Sequence, residues 1–196
     1  MMNFDLNKKS ERVLDASLKC FKQYGFKRTS MEDIAKASDM SRPALYLLFK
    51  NKTDIFRSLS QAFHAKTLQA AQIYLDADTD FKTRLSNAMT ARMAPLYALA
   101  HESVHGPELF DVNQSTSGDL NTQADADFLH MLTEALQNEL SAGRITNGSN
   151  GLVARELAQL LLASAIGLKS FAFSTQDYET LLVKSIDTLF QGLSPQ

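Results

Sequence analysis

The chain has 196 residues, 44% of them hydrophobic, with eight glycines, four prolines and a single cysteine. Such a length can bury a substantial core, while one cysteine excludes an intrachain disulfide and no apolar run is long enough to span a membrane. The net charge of −2 conceals a polarised molecule: residues 1–60 carry twelve basic and seven acidic side chains (net +5), and residues 61–196 carry eight and fifteen (net −7).

The basic end attracts phosphate and the acidic end is pushed from it. Cys20 suits a reducing compartment, and Met1 to Asn7 lack the order of a signal peptide, so a cytoplasmic location is expected.

In chain order, the spacing predicts a first helix over residues 12–25. Val13, Leu14, Ser17, Leu18 and Phe21 form its inner face and Gly25 is its stop. Met31, Ile34 and Ala35 form the face of a second helix, capped by Thr29 or Ser30, with Glu32 or Asp33 closing a capping box. The two registers fit equally. Ser38 to Ser41 break the pattern, and Met40 is the apolar plug between helices. Ser41 caps the third helix and Pro43 sits in its first turn, where a missing N–H does no harm. Leu45, Leu48 and Phe49 point inward, leaving Arg42, Ala44, Tyr46 and Leu47 outward. Two short helices about a tight turn are a helix-turn-helix, whose second helix enters the DNA major groove.

These residues resemble the DNA-binding domain of the TetR family of bacterial transcriptional regulators. The similarity runs over residues 12–57, through Arg12 to Ala16, Phe21, Tyr24-Gly25-Phe26, Thr29-Ser30, Asp33-Ile34-Ala35, Met40-Ser41, Leu45-Tyr46, Phe49 to Lys52 and Ile55-Phe56. Where the family often has a polar or aromatic residue after Leu45-Tyr46, this chain has Leu47, which suits a thymine methyl or a sugar. The resemblance implies a dimeric repressor that a small-molecule effector releases from its operator. The expected fold is all-α: an N-terminal three-helix helix-turn-helix domain (residues 1–52), joined by a long helix to a C-terminal helical ligand-binding and dimerisation domain (residues 53–196). Thr29, Ser30, Ser41, Arg42, Pro43, Ala44, Tyr46, Leu47, Lys50 and Lys52 are the expected DNA-binding residues. Arg42 would read guanine, while Thr29, Ser30, Tyr46, Lys50 and Lys52 would hold phosphate.

A fourth helix over residues 52–76 would be a rod of about 37 Å. Residues 81–101 form the next, bent at Pro95 and ended by Gly106-Pro107. Residues 108–112 read as a short helix, 113–118 as a loop and 119–141 as a long amphipathic helix. Gly143, Gly148 and Gly151 surround the turn that follows. The last two helices, residues 152–173 and 178–193, are apolar over much of their circumference, with Ala158, Ser164, Ala165 and Gly167 small enough for close approach. A homodimer through these two helices is expected, its recognition helices reading the half-sites of a pseudo-palindromic double-stranded operator.

Met89, Arg92, Met93, Leu96, Tyr97, His101, Phe110, Phe128, Met131 and Phe171 are candidate lining residues for an apolar or amphipathic effector, with His105 as a further polar group. No cofactor, structural metal or catalytic residue is expected. A competing pattern is His101-Glu102-Ser103-Val104-His105, which fits the H-E-x-x-H string of zinc enzymes. Gly106-Pro107 follows at once, and only generic acids such as Glu108, Asp111 or Asp125 are available as a third ligand. The alternatives to a regulator are therefore a metal-dependent protein using His101, Glu102 and His105, or a helical binding module that no longer reads DNA.

Overall fold

The computed structural model describes residues 3–147 and 151–191, with side chains from residue 8 onward, and these residues form eight α-helices and no strand. The all-α expectation holds. The helices are α1 (Asn3–Tyr24), α2 (Met31–Ala37), α3 (Arg42–Leu48), α4 (Lys52–Leu75), α5 (Phe81–His101), α6 (Gly106–Ser141), α7 (Ala154–Leu168) and α8 (Thr175–Gln191). Gly148 and Leu193 lie outside the described residues.

Two boundaries differ from expectation. Helix α1 begins well before Arg12, because Lys8, Lys9 and Glu11 are exposed and a polar turn carries no apolar signal. The expected loop at 113–118 is instead helical, with one non-helical residue, Ser117 (φ −132°, ψ 19°). Ser115 Oγ and Thr116 Oγ1 donate back to the carbonyls of Asp111 and Val112, so these small polar residues serve a kinked helix. Pro95 sits inside α5 without ending it.

By packing, the chain divides into two units, residues 1–64 with 99–121 and residues 65–98 with 122–196. In the first, Val13, Phe21, Ile34, Leu45, Phe49, Ile55 and Leu109 form the core. The rings of Phe21, Phe26 and Phe56 add a cluster with centroids 5.3–5.8 Å apart. A polar seam joins α4 to the start of α6. Arg57 meets Asp119 in a two-pronged pair (2.8 and 2.7 Å), Ser60 donates to Asn113 (2.9 Å), and a His64 ring nitrogen lies 2.9 Å from the Asn121 side-chain oxygen. The second unit is built on Leu85, Met89, Phe128, Leu132, Leu136, Leu157, Leu161 and Leu182, with Tyr97 stacked on Tyr178 at 4.8 Å. Its buried carboxylate, Glu139, is held by Arg84 (2.7 Å) and Arg144 (2.6 Å).

Candidate functional site

The helix-turn-helix is assembled from local chemistry. The left-handed Gly25 (φ +84°) ends α1. Ser30 is the cap of α2: its Oγ accepts from the Asp33 N–H at 3.1 Å, and the Ser30 N–H donates to Asp33 Oδ2 at 2.8 Å. That reciprocal box selects one of the two registers that the sequence left open, and its hydrogen bonds hold the Asp33 carboxyl below its ordinary pKa. The turn then passes through Asp39, left-handed at φ 53°, whose carbonyl accepts from Arg12 Nη2 at 3.2 Å. Met40 is half-buried between the helices. Ser41 caps α3, accepting from the Ala44 N–H at 3.3 Å, and Pro43 lies in its first turn.

Helix α3 has two distinct faces. Leu45 and Phe49 are buried and Leu48 is half-buried. Outward lie Arg42, Pro43, Tyr46 and Leu47, with Ala44 half-covered, and Leu47 is 87% exposed. A leucine so exposed gives nothing to the core. The Arg42 guanidinium sits 5.7 Å from the centre of the Tyr46 ring one turn on, which pre-orients its charge on the outer face. Lys50 is exposed, while its backbone N–H donates to Asp54 and the Asp54 N–H donates to Asn51, fixing the entry to α4. This face presents a fork of donors, a phenol, an apolar tip and a free ammonium, a set able to meet phosphates and base edges.

Two residues expected at the phosphate surface are turned inward. Thr29 is 2% exposed, and its hydroxyl donates to the Gly25 carbonyl at 2.7 Å. Lys52 Nζ donates to the carbonyls of Phe26, Lys27 and Thr29 and lies 4.4 Å from the Phe26 ring centre; burial lowers its pKa. Both brace the turn leading into α2. Arg12, Lys19, Arg28 and Lys36 were not among the expected site residues. They line an open groove of about 880 Å³ beside α1 and α2; their signal in the sequence is the local excess of positive charge, to which Arg12 adds its place in the family-like pattern.

The candidate effector residues divide. Met89, Arg92, Met93, Tyr97 and Phe128 are buried in the second unit, with Leu96 and Met131 half-buried. His101 and Phe110 belong to the first unit and are exposed, and Phe171 is 70% exposed, so these three do not join the buried set. Sequence spacing along one helix cannot see that α5 and α6 each pass from one unit to the other. Thr67, Asp125 and Lys169 gather near Arg92 and were not anticipated as effector-binding residues. Lys169 had one signal: it is the sole basic residue between Arg155 and Lys184.

The zinc string is disrupted. Helix α5 ends at His101, and His105 lies in the turn before α6, with Nδ1 3.6 Å from Glu108 Oε2. The H-E-x-x-H string works as a zinc motif when one helix carries both histidines on one face, and here the helix ends at the first of them. Among the described residues no group of three metal-ligating side chains comes together.

Comparison with known proteins agrees with this geometry. Residues 13–59 match the family model of bacterial regulatory proteins, tetR family. The uncharacterised HTH-type transcriptional regulator YhgD of Bacillus subtilis is 28% identical over 79 residues, which is 40% of this chain and 41% of that protein. The HTH-type transcriptional regulator AcrR of Shigella flexneri is 41% identical over 49 residues, 25% of this chain and 23% of its own. The matches thus span less than half the length of either relative. Over nearly the whole chain the fold is similar to that of SmeT, the repressor of the Stenotrophomonas maltophilia multidrug efflux pump SmeDEF. Its TM-score is 0.68 at 19% identity, covering 95% of this chain and 91% of that one. A SmeT–triclosan complex gives 0.67, also at 19% identity, over 96% and 93%.

Proposed function

We propose that this chain, whose residues 13–59 match the family model of bacterial regulatory proteins, tetR family, is a dimeric transcriptional regulator and not an enzyme. In this reading residues 1–52 bind DNA, and residues 53–196 bind effector and dimerise in the cytoplasm. The observation that carries it is the outer face of α3: Arg42, Tyr46 and a fully presented Leu47 on a helix capped at both ends, within a segment of net charge +5. Arg42 reads a base, Leu47 and Pro43 make apolar contact, and Ser30, Ser41, Tyr46 and Lys50 engage the backbone. Thr29 and Lys52 act by fixing the turn.

Dimerisation through α7 and α8 is supported by their uncovered apolar residues. Leu160, Ile166 and Val183 are exposed, and among the described residues no neighbour lies within 4 Å of where a Gly167 side chain would begin. The small residues thought to permit close approach separate here, since Ala158 and Ala165 are buried within the subunit and Ser164 bonds to Ser185 (2.6 Å). A two-fold dimer presents two recognition helices to a pseudo-palindromic operator. Because SmeT is a repressor that has been seen with triclosan, we assign the same mode here: an apolar or amphipathic effector favours a conformer whose recognition helices no longer fit DNA, and the operator is released.

The test is binding to the DNA flanking the chain's own gene, measured by fluorescence anisotropy across a salt series without effector. Expected is saturable affinity that falls steeply with salt. A protein that prefers no segment of this DNA over random duplex defeats the proposal in favour of a helical module that has lost DNA reading.

A further inference from the structure

The buried charges of the second unit do not balance. Arg92 is 2% exposed. Its Nη2 lies 3.1 Å from Asp125 Oδ1 and its Nη1 donates to Thr67 Oγ1 at 3.3 Å, but its Nε–H meets no acceptor among the described residues. The Phe128 ring lies 5.9 Å from the guanidinium carbon. Lys169, at the end of α7, is half-buried beside the same groups, and among the described residues its ammonium makes no hydrogen bond or ion pair. Burial pushes its pKa down, opposed by Asp125 and reinforced by Arg92. Two cations therefore share one carboxylate, and that carboxylate is 68% exposed and largely hydrated. A desolvated cation with an unsatisfied N–H is costly to keep, and ordinary packing would have supplied a second acid or replaced the base. Phe128, against the guanidinium, and Met89 and Met93 of the same core are apolar and offer contact to a hydrocarbon body but no partner for the charge.

We propose that Arg92 and Lys169 hold the carboxylate of an amphipathic organic acid, whose apolar part packs against Met89, Met93 and Phe128. This deepens the reading of residues 53–196 as the effector-binding part and rests on it. One ligand oxygen accepts from Arg92 Nε–H and the other faces the Lys169 ammonium. Asp125 stays on Nη2 and Thr67 on Nη1, which leaves the Nε–H as the donor open to the ligand. Neutral ligands of the same length gain the apolar contacts alone.

The test is isothermal titration calorimetry with decanoate and decan-1-ol on the full chain, on Lys169→Met and on Arg92→Met, each checked for helix content by circular dichroism. Decanoate is expected to bind wild type at least about ten-fold more tightly than decan-1-ol. Lys169→Met should weaken decanoate by about ten-fold or more and leave decan-1-ol within about two-fold. Arg92→Met should do the same if it folds, and Lys169→Met decides the matter if it does not. Equal affinity for acid and alcohol, no heat from decanoate up to the order of 1 mM, or decanoate binding untouched by Lys169→Met each overturns the proposal. No DNA enters the measurement, so its failure is distinct from failure of the DNA-reading function.

Discussion

Glu108 Oε1 accepts a hydrogen bond from the Lys27 backbone N–H at 2.8 Å, tying the first turn of α6 to the turn that leads into α2. Both residues belong to the first packing unit, so segment 99–121 is latched to the helix-turn-helix through a carboxylate as well as through Leu109. Glu108→Ala should lower stability by up to about 1 kcal/mol, as expected for an exposed hydrogen bond to a charged group. Hydrogen exchange at the Lys27 amide should also quicken. Unchanged protection of that amide would show that the bond does not hold the turn.

Gly25 stands against the same carboxylate. Its φ of +84° is left-handed, and a Cβ there would fall 2.4 Å from Glu108 Oε2. Gly25→Ala therefore meets both a backbone penalty and a clash. A loss of more than about 1 kcal/mol in urea unfolding is expected. In a Glu108→Ala background the cost of Gly25→Ala should shrink only by the part due to the clash. A Gly25→Ala change that costs nothing in that background would mean that the backbone conformation costs nothing.

Arg57 and Asp119 form the exposed end of the α4–α6 seam, and the guanidinium holds the Asp119 carboxyl down at about 2, below its ordinary 3.8. A depressed carboxylate pKa adds stability that is complete above the unfolded value and lost as pH falls through the folded one. The stability difference between wild type and Asp119→Asn should thus be constant from neutral pH to about 4 and vanish towards pH 2. Urea midpoints at about pH 7, 4 and 2 measure it. A difference that grows on acidification reverses the sign and rules out this source of stabilisation.

Much of the helix-turn-helix was legible because its determinants are local. Ser30 with Asp33, Ser41 with Pro43, and Gly25 all act within four residues, so the sequence carries the caps directly. Segment 113–118 was not, because serine and threonine look like loop formers until their hydroxyls are seen bonding to the preceding turn. The apolar character of α7 was visible, but which of its leucines face inward was not: Leu157 and Leu161 are buried while Leu160 is exposed. Arg92 was noticed as a polar group among apolar neighbours, yet its relation to Lys169 joins residues far apart in sequence, which no spacing rule reaches. Lys52 shows the opposite error, since a lysine near a DNA-reading helix suggests phosphate until its three carbonyl partners appear.

Arg42 and Leu47 should separate affinity from stability. Neither contributes to the core, so Arg42→Ala and Leu47→Ala should each leave unfolding within about 0.5 kcal/mol of wild type. Arg42→Ala should cost about 1–3 kcal/mol on the operator and much less on random duplex. Equal losses on both would make Arg42 a phosphate ligand and leave base reading to other residues. Lys52→Met should behave in the reverse manner, lowering stability first and DNA affinity only as a consequence.

The dimer proposal makes opposite demands on Gly167 according to whether its face is covered. In an isolated subunit none of the described residues lies within 4 Å of a Cβ at this position, so Gly167→Ala would simply favour the helix by about 0.5–1 kcal/mol. If α7 packs on a second copy, a larger side chain must instead hold the two helices apart. Gly167→Leu and Ile166→Asp are therefore expected to shift sedimentation from dimer to monomer while the far-ultraviolet spectrum stays helical. Operator affinity should fall with them, because each half-site is then bound without the effective concentration its partner supplies. Wild-type protein that sediments as a monomer at micromolar concentration, or a Gly167→Leu variant that is both more stable and still dimeric, would place the subunit contact elsewhere.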